Sequence, residues 1–308
     1  MLMSPGVVRR DQRQRSWLSA HLYFDGPVYS SAGDDVIRRV VTPVLDSLGE
    51  HRAARAFFIR YVDDGPHVRL RISAPSAYLV STVGPAIEDI ATRQSLRLKW
   101  IPYEPEIARY GGPWAVPVAE ELFCVSSRLV CTLLSTASPC SQSARLGFAL
   151  VSQLILMRTF IDDRRAAASI ATGYSQTLLR ERIAHVARRT RHVDADMDAT
   201  WDHQRHSLER MTNEIWRSAP AALPRPFAIY QRRLRRLRQD LNTLVDDGRV
   251  ILAGRTAQNR EGATQFLIAS YLHMSNNRFG LSLLDEAYIS RLVGRVLQEA
   301  ITLPSTAS

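Results

Sequence analysis

Cysteine is scarce in this 308-residue chain, which has only Cys124, Cys131 and Cys140. An odd number at spacings of seven and nine residues fits neither a disulfide framework nor a zinc knuckle. Cys124 and Cys131 stand at i, i+7 on an expected helix and read as small core hydrophobes. Lysine is rarer still: of 40 basic residues, only Lys99 is not arginine. Long apolar runs are missing too, and none reaches the ~18 residues that a membrane span needs. The opening MLMSPGVVRRDQRQRSW carries charge but no apolar stretch of a secretory signal, so a cytoplasmic location is expected. No HExxH occurs. His203 and His206 stand at i, i+3, with His185 and His192 upstream, but that spacing is common and no carboxylate is obviously paired with it. Neither a metal nor another cofactor is expected. Asp162-Asp163 and Asp246-Asp247 read as surface or helix-end pairs.

What is present is ordinary globular chemistry, 45% hydrophobic and 23% charged, which excludes a disordered chain and supports one large domain or two. The net charge of +10 is carried by arginine, whose planar fork binds carboxylates and phosphates in bidentate fashion. Charge alone does not choose between nucleic acid, acidic peptide and a small anionic substrate.

The first third alternates strand and helix. Trp17–Phe24, Ala56–Val62, His67–Ser73 and Ser95–Tyr103 have β character; Asp34–Leu48 and Ser76–Thr92 have helical spacing, the first with Pro43 as a weak point or kink. Asp63-Asp64-Gly65-Pro66 makes a hairpin of the middle strands. The order βαββαβ predicts a ferredoxin-like unit over residues 14–113, with two helices on one face of four antiparallel strands. Residues 114–303 read as a helical unit packed on it, with helices at 117–136, 142–170, 174–190, 199–217, 226–247, 262–274 and 283–302. Ser218–Pro226 is a Pro/Ala-rich connection. The fold class is α+β: a sheet unit followed by a mostly helical C-terminal part.

Three segments carry candidate chemistry. In HVRLR, alternation puts Val68, Leu70 and Ile72 on one face and His67, Arg69 and Arg71 on the other. Like charges two residues apart gain nothing from each other, so an acidic partner is expected. YEPEIARYGG follows the fourth strand; Glu106 and Arg109 share a face in a helical turn, and Gly111-Gly112 permits a close backbone turn. YLHMSNNRFG ends an apolar helix and carries His273, of the side-chain type suited to acid–base work near neutral pH.

Together, and in this order, the three segments resemble the glutamate-elimination domain of class I lantibiotic dehydratases, the thiopeptide-type bacteriocin biosynthesis domain, which also occurs free-standing. WLSAHLYF, FFIRYVDDGPHVRLR and AEELFCVSSRLV extend the resemblance to about residues 16–303. It implies a carbon–oxygen lyase that removes glutamate from glutamylated Ser or Thr of a ribosomal precursor peptide, leaving dehydroalanine or dehydrobutyrine. Carried over by motif, the implied catalytic residues are Arg69, Arg71, Glu106, Arg109 and His273. His67, Tyr110, Asn276, Asn277 and Arg278 are the implied substrate contacts, with the alignment of the two asparagines left open. The implied partners are the leader-core precursor peptide and a separate glutamylating subunit; pairing with a second copy is left open.

Two alternatives stand beside this. Relatives in thiopeptide pathways join two dehydroalanines in a formal four-plus-two cycloaddition that builds a pyridine-type ring. The basic helix Gln231-Arg232-Arg233-Leu234-Arg235-Arg236-Leu237-Arg238 would instead suit nucleic acid or an acidic leader peptide, although no recognisable nucleic-acid module accompanies it and direct tRNA binding is not expected.

Overall fold

The computed structural model describes residues 9–10, 15–48, 54–137, 140–186, 190–217 and 223–302. It divides into two compact units, Met1–Ser141 with Asn277–Gly280, and Gln142–Asn276 with Leu281–Ser308.

The first unit is built on an antiparallel sheet of β1 (Arg9–Arg10), β2 (Arg15–Tyr23), β3 (Arg55–Tyr61), β4 (His67–Pro75) and β5 (Arg97–Trp100). The four strands expected from the sequence lie in the order β5-β2-β4-β3, the arrangement of a βαββαβ unit. The two-residue β1, without a sequence signal, shares the β5 side of β2, pairing at Ser16 and Trp17 while β5 pairs at Ala20 to Tyr23. Asp64 and Gly65 adopt positive φ in the β3–β4 turn, closed by Gly65 N–H to the Val62 carbonyl at 3.1 Å.

Each crossover helix contains one widened turn. The first runs as α1 (Ser31–Val36), a π turn at Ile37–Val41, and α2 (Thr42–Leu48); the second as α3 (Ser76–Tyr78), a π turn at Leu79–Val83, and α4 (Gly84–Arg93). Pro43 and Pro85 each follow the π turn by two residues. A proline ring clashes with the carbonyl four residues back in a regular helix. Here the preceding residues, Thr42 and Gly84, donate their N–H to carbonyls five back, of Ile37 and Leu79. The kink expected at Pro43 is this local widening. Val68, Leu70 and Ile72 are fully buried and share the core with Ala20, Leu22 and Phe58 and with Ile37, Val40, Leu45, Leu79 and Ile87 of the helices.

α5 (Val116–Thr136), which the sequence reading grouped with the helical part, packs on β3 within this first unit. Cys124 and Cys131 are buried free thiols in it, and burial pushes both up to about 12. β3 is a sheet edge, and an edge leaves backbone groups unpaired. Side chains close it: Ser127 Oγ accepts the Phe58 N–H at 3.1 Å, and the Asn277 amide accepts from Arg60 N–H and donates to the Arg60 carbonyl, both at 2.9 Å.

The second unit holds α6 (Gln142–Phe160), α7 (Arg164–Val186), α8 (Thr190–Arg217), α9 (Arg225–Asp246), a hairpin of β6 (Ile251–Leu252) and β7 (Arg255–Thr256), α10 (Arg260–Phe279, its last residues counted with the first unit) and α11 (Leu283–Thr302). The helix expected over 142–170 breaks at 161–163, where Asp163 Oδ1 accepts the Arg165 N–H at 2.7 Å and caps α7. α7 and α11 cross closely: a Cβ on Gly294 would lie 2.5 Å from Thr172 Oγ1. α9 buries Phe227, Tyr230, Leu234, Leu237 and Leu241 on one face, as its spacing predicts. Much of the Ser218–Pro226 connection, and the side chains of His185, His192 and His203, lie outside the described residues. No helix among the described residues is long and apolar enough to cross a membrane.

Candidate functional site

The sheet face opposite the core carries the candidate site. Cross-strand register lines up Phe57–Arg71–Ser19, Ile59–Arg69–His21 and Tyr61–His67–Tyr23, with Lys99 beyond His21. The row His67, Arg69, Arg71 therefore shares its face with aromatic rings rather than lying bare in water.

Arg71 sits 4.5 Å from the Tyr103 ring centroid and 5.6 Å from that of Phe57. Its Nε is buried and has no hydrogen-bond partner among the described residues. Burial pushes the guanidinium below its ordinary range; Arg69 adds to this, while Tyr103, Glu106 and Tyr110 oppose it. It stays charged, since arginine does not deprotonate in proteins. Arg69 lies 3.5 Å over the Tyr61 ring, donates from Nε to His67 Nε2 at 3.0 Å, and has the Asp63 carboxylate 3.9 Å away. His67 accepts through Nε2, so its Nδ1 carries the proton and donates to the Gly65 carbonyl at 2.8 Å. Burial holds its pKa below the ordinary value.

The face opens into a cavity of about 430 Å³ whose wall includes His21, Arg69, Arg71, Lys99, Asp64 and Glu104. Lys99 is tied to Asp64 at 2.5 Å. His21 is 5% exposed. Burial first, then Arg69, His67, Arg71 and Lys99, lower its pKa to about 3.

Glu106 and Arg109 form the expected i, i+3 pair at 3.0 Å, in a turn held by Gly112 N–H to the Ile107 carbonyl. Gly111 and Gly112 both have positive φ, which explains the pair of glycines. Tyr110 is buried with its ring 5.1 Å from Phe123, and Tyr103 donates to the buried Glu120 at 2.9 Å. Burial raises the pKa of both phenols. The charges of Glu106 and Arg71 both act on Tyr110, so the first unit brings HVRLR and EIARY into one electrostatic neighbourhood.

In the second unit, His273 projects from α10 with its Nδ1 3.2 Å from both oxygens of Glu286, a carboxylate 1% exposed that also receives the Tyr174 hydroxyl at 2.7 Å. Asn276 is 1% exposed. Asn277 binds the Arg60 peptide and belongs to the first unit. Arg278, fully buried, donates from Nε to Ser127 Oγ at 3.1 Å and lies 4.8 Å over the Phe123 ring. These engagements within the fold account for the Asn277 amide and for much of Arg278. Arg69, Arg71, Glu106, Arg109, Tyr110 and His67 are thus grouped in the first unit; His273 and Asn276 are in the second.

Sequence reasoning missed His21, Lys99, Tyr103, Glu286 and Tyr174. Alternation in WLSAHLY is the signal that could have found His21, since it puts the residue on the face of Trp17 and Tyr23; the register places it beside Arg69. Glu286 follows a Ser282-x-x-Asp285 capping box, in which Ser282 N–H donates to Asp285 at 3.0 Å and Asp285 N–H to Ser282 Oγ at 3.2 Å. Capping accounts for Asp285 and leaves the adjacent buried acid unexplained, which was the available signal.

Residues 17–297 match the family described as "Lantibiotic biosynthesis dehydratase C-term". Subtilin biosynthesis protein SpaB of Bacillus subtilis is 31% identical over 121 residues, 37% of this chain and 11% of SpaB. Nisin biosynthesis protein NisB of Lactococcus lactis subsp. lactis is 24% identical over 147 residues, 46% of this chain and 15% of NisB. The matched segments are a small part of these much longer curated relatives. Among solved structures, TsrL shares the fold with TM-score 0.69 and 17% identity, over 94% of this chain and 95% of its own. The pyridine synthase TbtD from thiomuracin biosynthesis gives 0.68 and 16%, over 92% and 98%. The tRNA-dependent lantibiotic dehydratase MibB from Microbispora sp. 107891 gives 0.54 and 19%, over 92% of this chain and 28% of MibB. Matched over most of its length, the chain belongs to the lantibiotic biosynthesis dehydratase C-terminal family.

Proposed function

We propose that this protein is a lyase acting on a glutamylated precursor peptide, eliminating glutamate from Ser or Thr side-chain esters to leave dehydroalanine or dehydrobutyrine. The observation that carries this reading is Arg71: a cation on a central strand, held against the neighbouring rings of Tyr103 and Phe57, with no carboxylate paired to it among the described residues. Family membership supports it.

The reaction removes the α-proton, turns the Cα–H electron pair into the Cα=Cβ bond, and breaks the Cβ–O bond so that glutamate departs as a carboxylate. Charge develops first on the enolate oxygen and then on the leaving group. Arg69 and Arg71 are suited to both oxyanions, and preorganised donors of this kind contribute roughly 10²–10³ in rate each. Arg109, held by Glu106, adds a further cation. His273, steered by a buried carboxylate, is the group assigned to take the proton. The glutamyl ester comes from a separate glutamylating subunit, and the peptide is presented with its leader.

The test is incubation of the protein with a peptide carrying a pre-formed glutamyl ester on serine, followed by mass spectrometry. Loss of glutamate by the wild-type protein, abolished in Arg71→Ala, is expected. An untouched ester together with ring formation from a bis-dehydroalanine peptide would replace elimination by cycloaddition.

A further inference from the structure

Among the described residues, no hydrogen bond or ion pair reaches the Arg71 guanidinium; what holds it is the ring of Tyr103 at 4.5 Å and that of Phe57 at 5.6 Å. A ring face attracts a cation but does not tether it at one atom, so the guanidinium goes where the rings are put. Phe57 is fixed by the sheet itself, since it is paired with Arg71 across the β3–β4 ladder. Tyr103 has no such support. It stands three residues beyond β5, in a stretch without regular structure that runs into the turn carrying Glu106 and Arg109. Its place is set by its side chain: the ring meets Trp17 edge-on at 4.8 Å, and the hydroxyl donates to Glu120 Oε1 at 2.9 Å.

Glu120 lies in the second turn of α5 and is 7% exposed. A carboxylate is costly to bury, and a glutamine could accept the same proton without that cost. What the carboxylate adds is a charge-assisted bond, stronger than one to a neutral acceptor. Burial raises the pKa of the Tyr103 phenol, so the hydroxyl keeps its proton and remains the donor. Glu120, Phe123 and Ser127 stand at i, i+3 and i+7 and form one face of α5. That face meets the strands that bear the site: Phe123 is 5.4 Å from Phe57 and 5.1 Å from Tyr110, and Ser127 accepts the Phe58 N–H. The segment from Tyr103 to Tyr110 is thus pinned to α5 at both ends, by Glu120 and by Phe123.

We infer that Glu120 is a positioning residue: through the Tyr103 hydroxyl it fixes the ring that aims the Arg71 guanidinium. This role presupposes the elimination reading above and gives it the means by which an otherwise untethered cation is preorganised.

Steady-state elimination from a peptide carrying a pre-formed glutamyl ester on serine tests it, with each rate taken per folded molecule as measured by circular dichroism. Tyr103→Phe keeps the ring and loses the hydroxyl; Glu120→Ala loses the acceptor. Each is expected to lower kcat by about 10–100-fold while KM stays within about threefold, because a misaimed cation fails where charge develops in the transition state. The two changes together should lose no more than either alone, since both break the same bond. Glu120→Gln, which still offers an acceptor, should lose less than Glu120→Ala. The decisive comparison is made in Arg71→Lys, whose ammonium does not stack on the ring. There Glu120→Ala should cost about threefold or less. Unchanged kcat per folded molecule in Glu120→Ala, or a loss as large in Arg71→Lys as in the wild type, reduces Glu120 to a structural residue and overturns the assignment while leaving elimination standing. Should Glu120→Ala fail to fold, Tyr103→Phe, alone and with Arg71→Lys, carries the same comparison. A wild-type protein that leaves the ester intact overturns the elimination reading and this role with it.

Discussion

The Nδ1 atom of His273 lies 3.2 Å from each oxygen of Glu286, and the Glu286 carboxylate also accepts the Tyr174 hydroxyl, through Oε2, at 2.7 Å. A carboxylate 1% exposed, steered by a second donor, fixes both the ring orientation and the tautomer of the histidine it faces. With Nδ1–H donated to Glu286, Nε2 is left as the accepting nitrogen. That arrangement is the one a general base uses.

Glu286→Gln should therefore slow elimination of a glutamylated peptide by about 10²–10⁴-fold, the range of general acid–base contributions. Peptide affinity should stay close to wild type. Tyr174→Phe, which removes only the second donor to Glu286, should cost less. Single-turnover mass spectrometry on the pre-formed ester measures both. A change of threefold or less in Glu286→Gln would take the histidine–carboxylate pair out of the chemistry.

Arg71→Lys keeps the charge but loses the planar group that lies against Tyr103 and Phe57. Lysine is a strongly hydrated point charge that neither stacks nor offers a fork. The expected result is a drop of about 10²-fold in kcat with the fold intact by circular dichroism. Full activity in the lysine variant would mean that charge alone suffices at this position.

The first unit was readable because its signals are local. Strict alternation in HVRLRIS fixed the face of every residue on β4, and Asp63 to Pro66 marked the hairpin. The π turns were not readable, because Pro43 announces a disturbance but not that the helix absorbs it by widening. The break before α7 was hidden because Leu156, Met157, Phe160 and Ile161 keep helical spacing up to it, while Asp163 as a cap became clear only from its bond to Arg165. The site was half legible. Motif residues on one strand or one turn can be grouped from sequence spacing. His21 beside Arg69, separated by a hairpin and a crossover, needs the strand order, and Glu286 beside His273 needs the packing of two helices.

Asn277 replaces a neighbouring strand for one peptide of β3, accepting from and donating to Arg60. Asn277→Ala leaves a buried N–H and a buried carbonyl without partners. Each such loss costs about 1–3 kcal/mol, so the variant should be about 2–6 kcal/mol less stable in urea unfolding. Asn277→Asp should be destabilising as well, since a carboxylate accepts from Arg60 N–H but repels its carbonyl.

Acid sensitivity follows from His21. Its folded pKa is about 3 against an ordinary 6.5, so between those values the unfolded chain binds a proton that the folded chain refuses. Stability from this group is fully present above pH 6.5 and is lost as pH falls toward 3, at a slope of up to one bound proton. His67, lowered by its own burial, acts in the same direction. Thermal unfolding at pH 7 and pH 5 should show a fall in Tm for the wild type and a smaller fall for His21→Phe. An equal fall in both would place the acid-sensitive group elsewhere.

Arg60 and Asp34 form a buried ion pair at 2.6 Å, with the two side chains 0% and 4% exposed. Arg60 also donates to the carbonyls of Arg278 at 3.2 Å and Val28 at 3.3 Å, so this one guanidinium ties β3 to α1, to the segment before it and to the C-terminal end of α10. Gly33 leaves room for this contact: a Cβ there would lie 2.7 Å from the Arg60 terminal nitrogen and 2.8 Å from the Val28 carbonyl oxygen that it meets. Breaking such a pair from one side strands a charge in a low dielectric. Asp34→Asn should therefore cost about 3–5 kcal/mol in chemical unfolding. A double variant, Arg60→Met with Asp34→Leu, removes both charges and should recover part of that loss, because well-packed apolar groups often replace a buried ion pair without penalty. The carbonyls of Val28 and Arg278 would still lose a donor, so recovery should be incomplete. If the double variant is less stable than Asp34→Asn alone, those two carbonyl contacts, rather than the ion pair, are what Arg60 chiefly contributes.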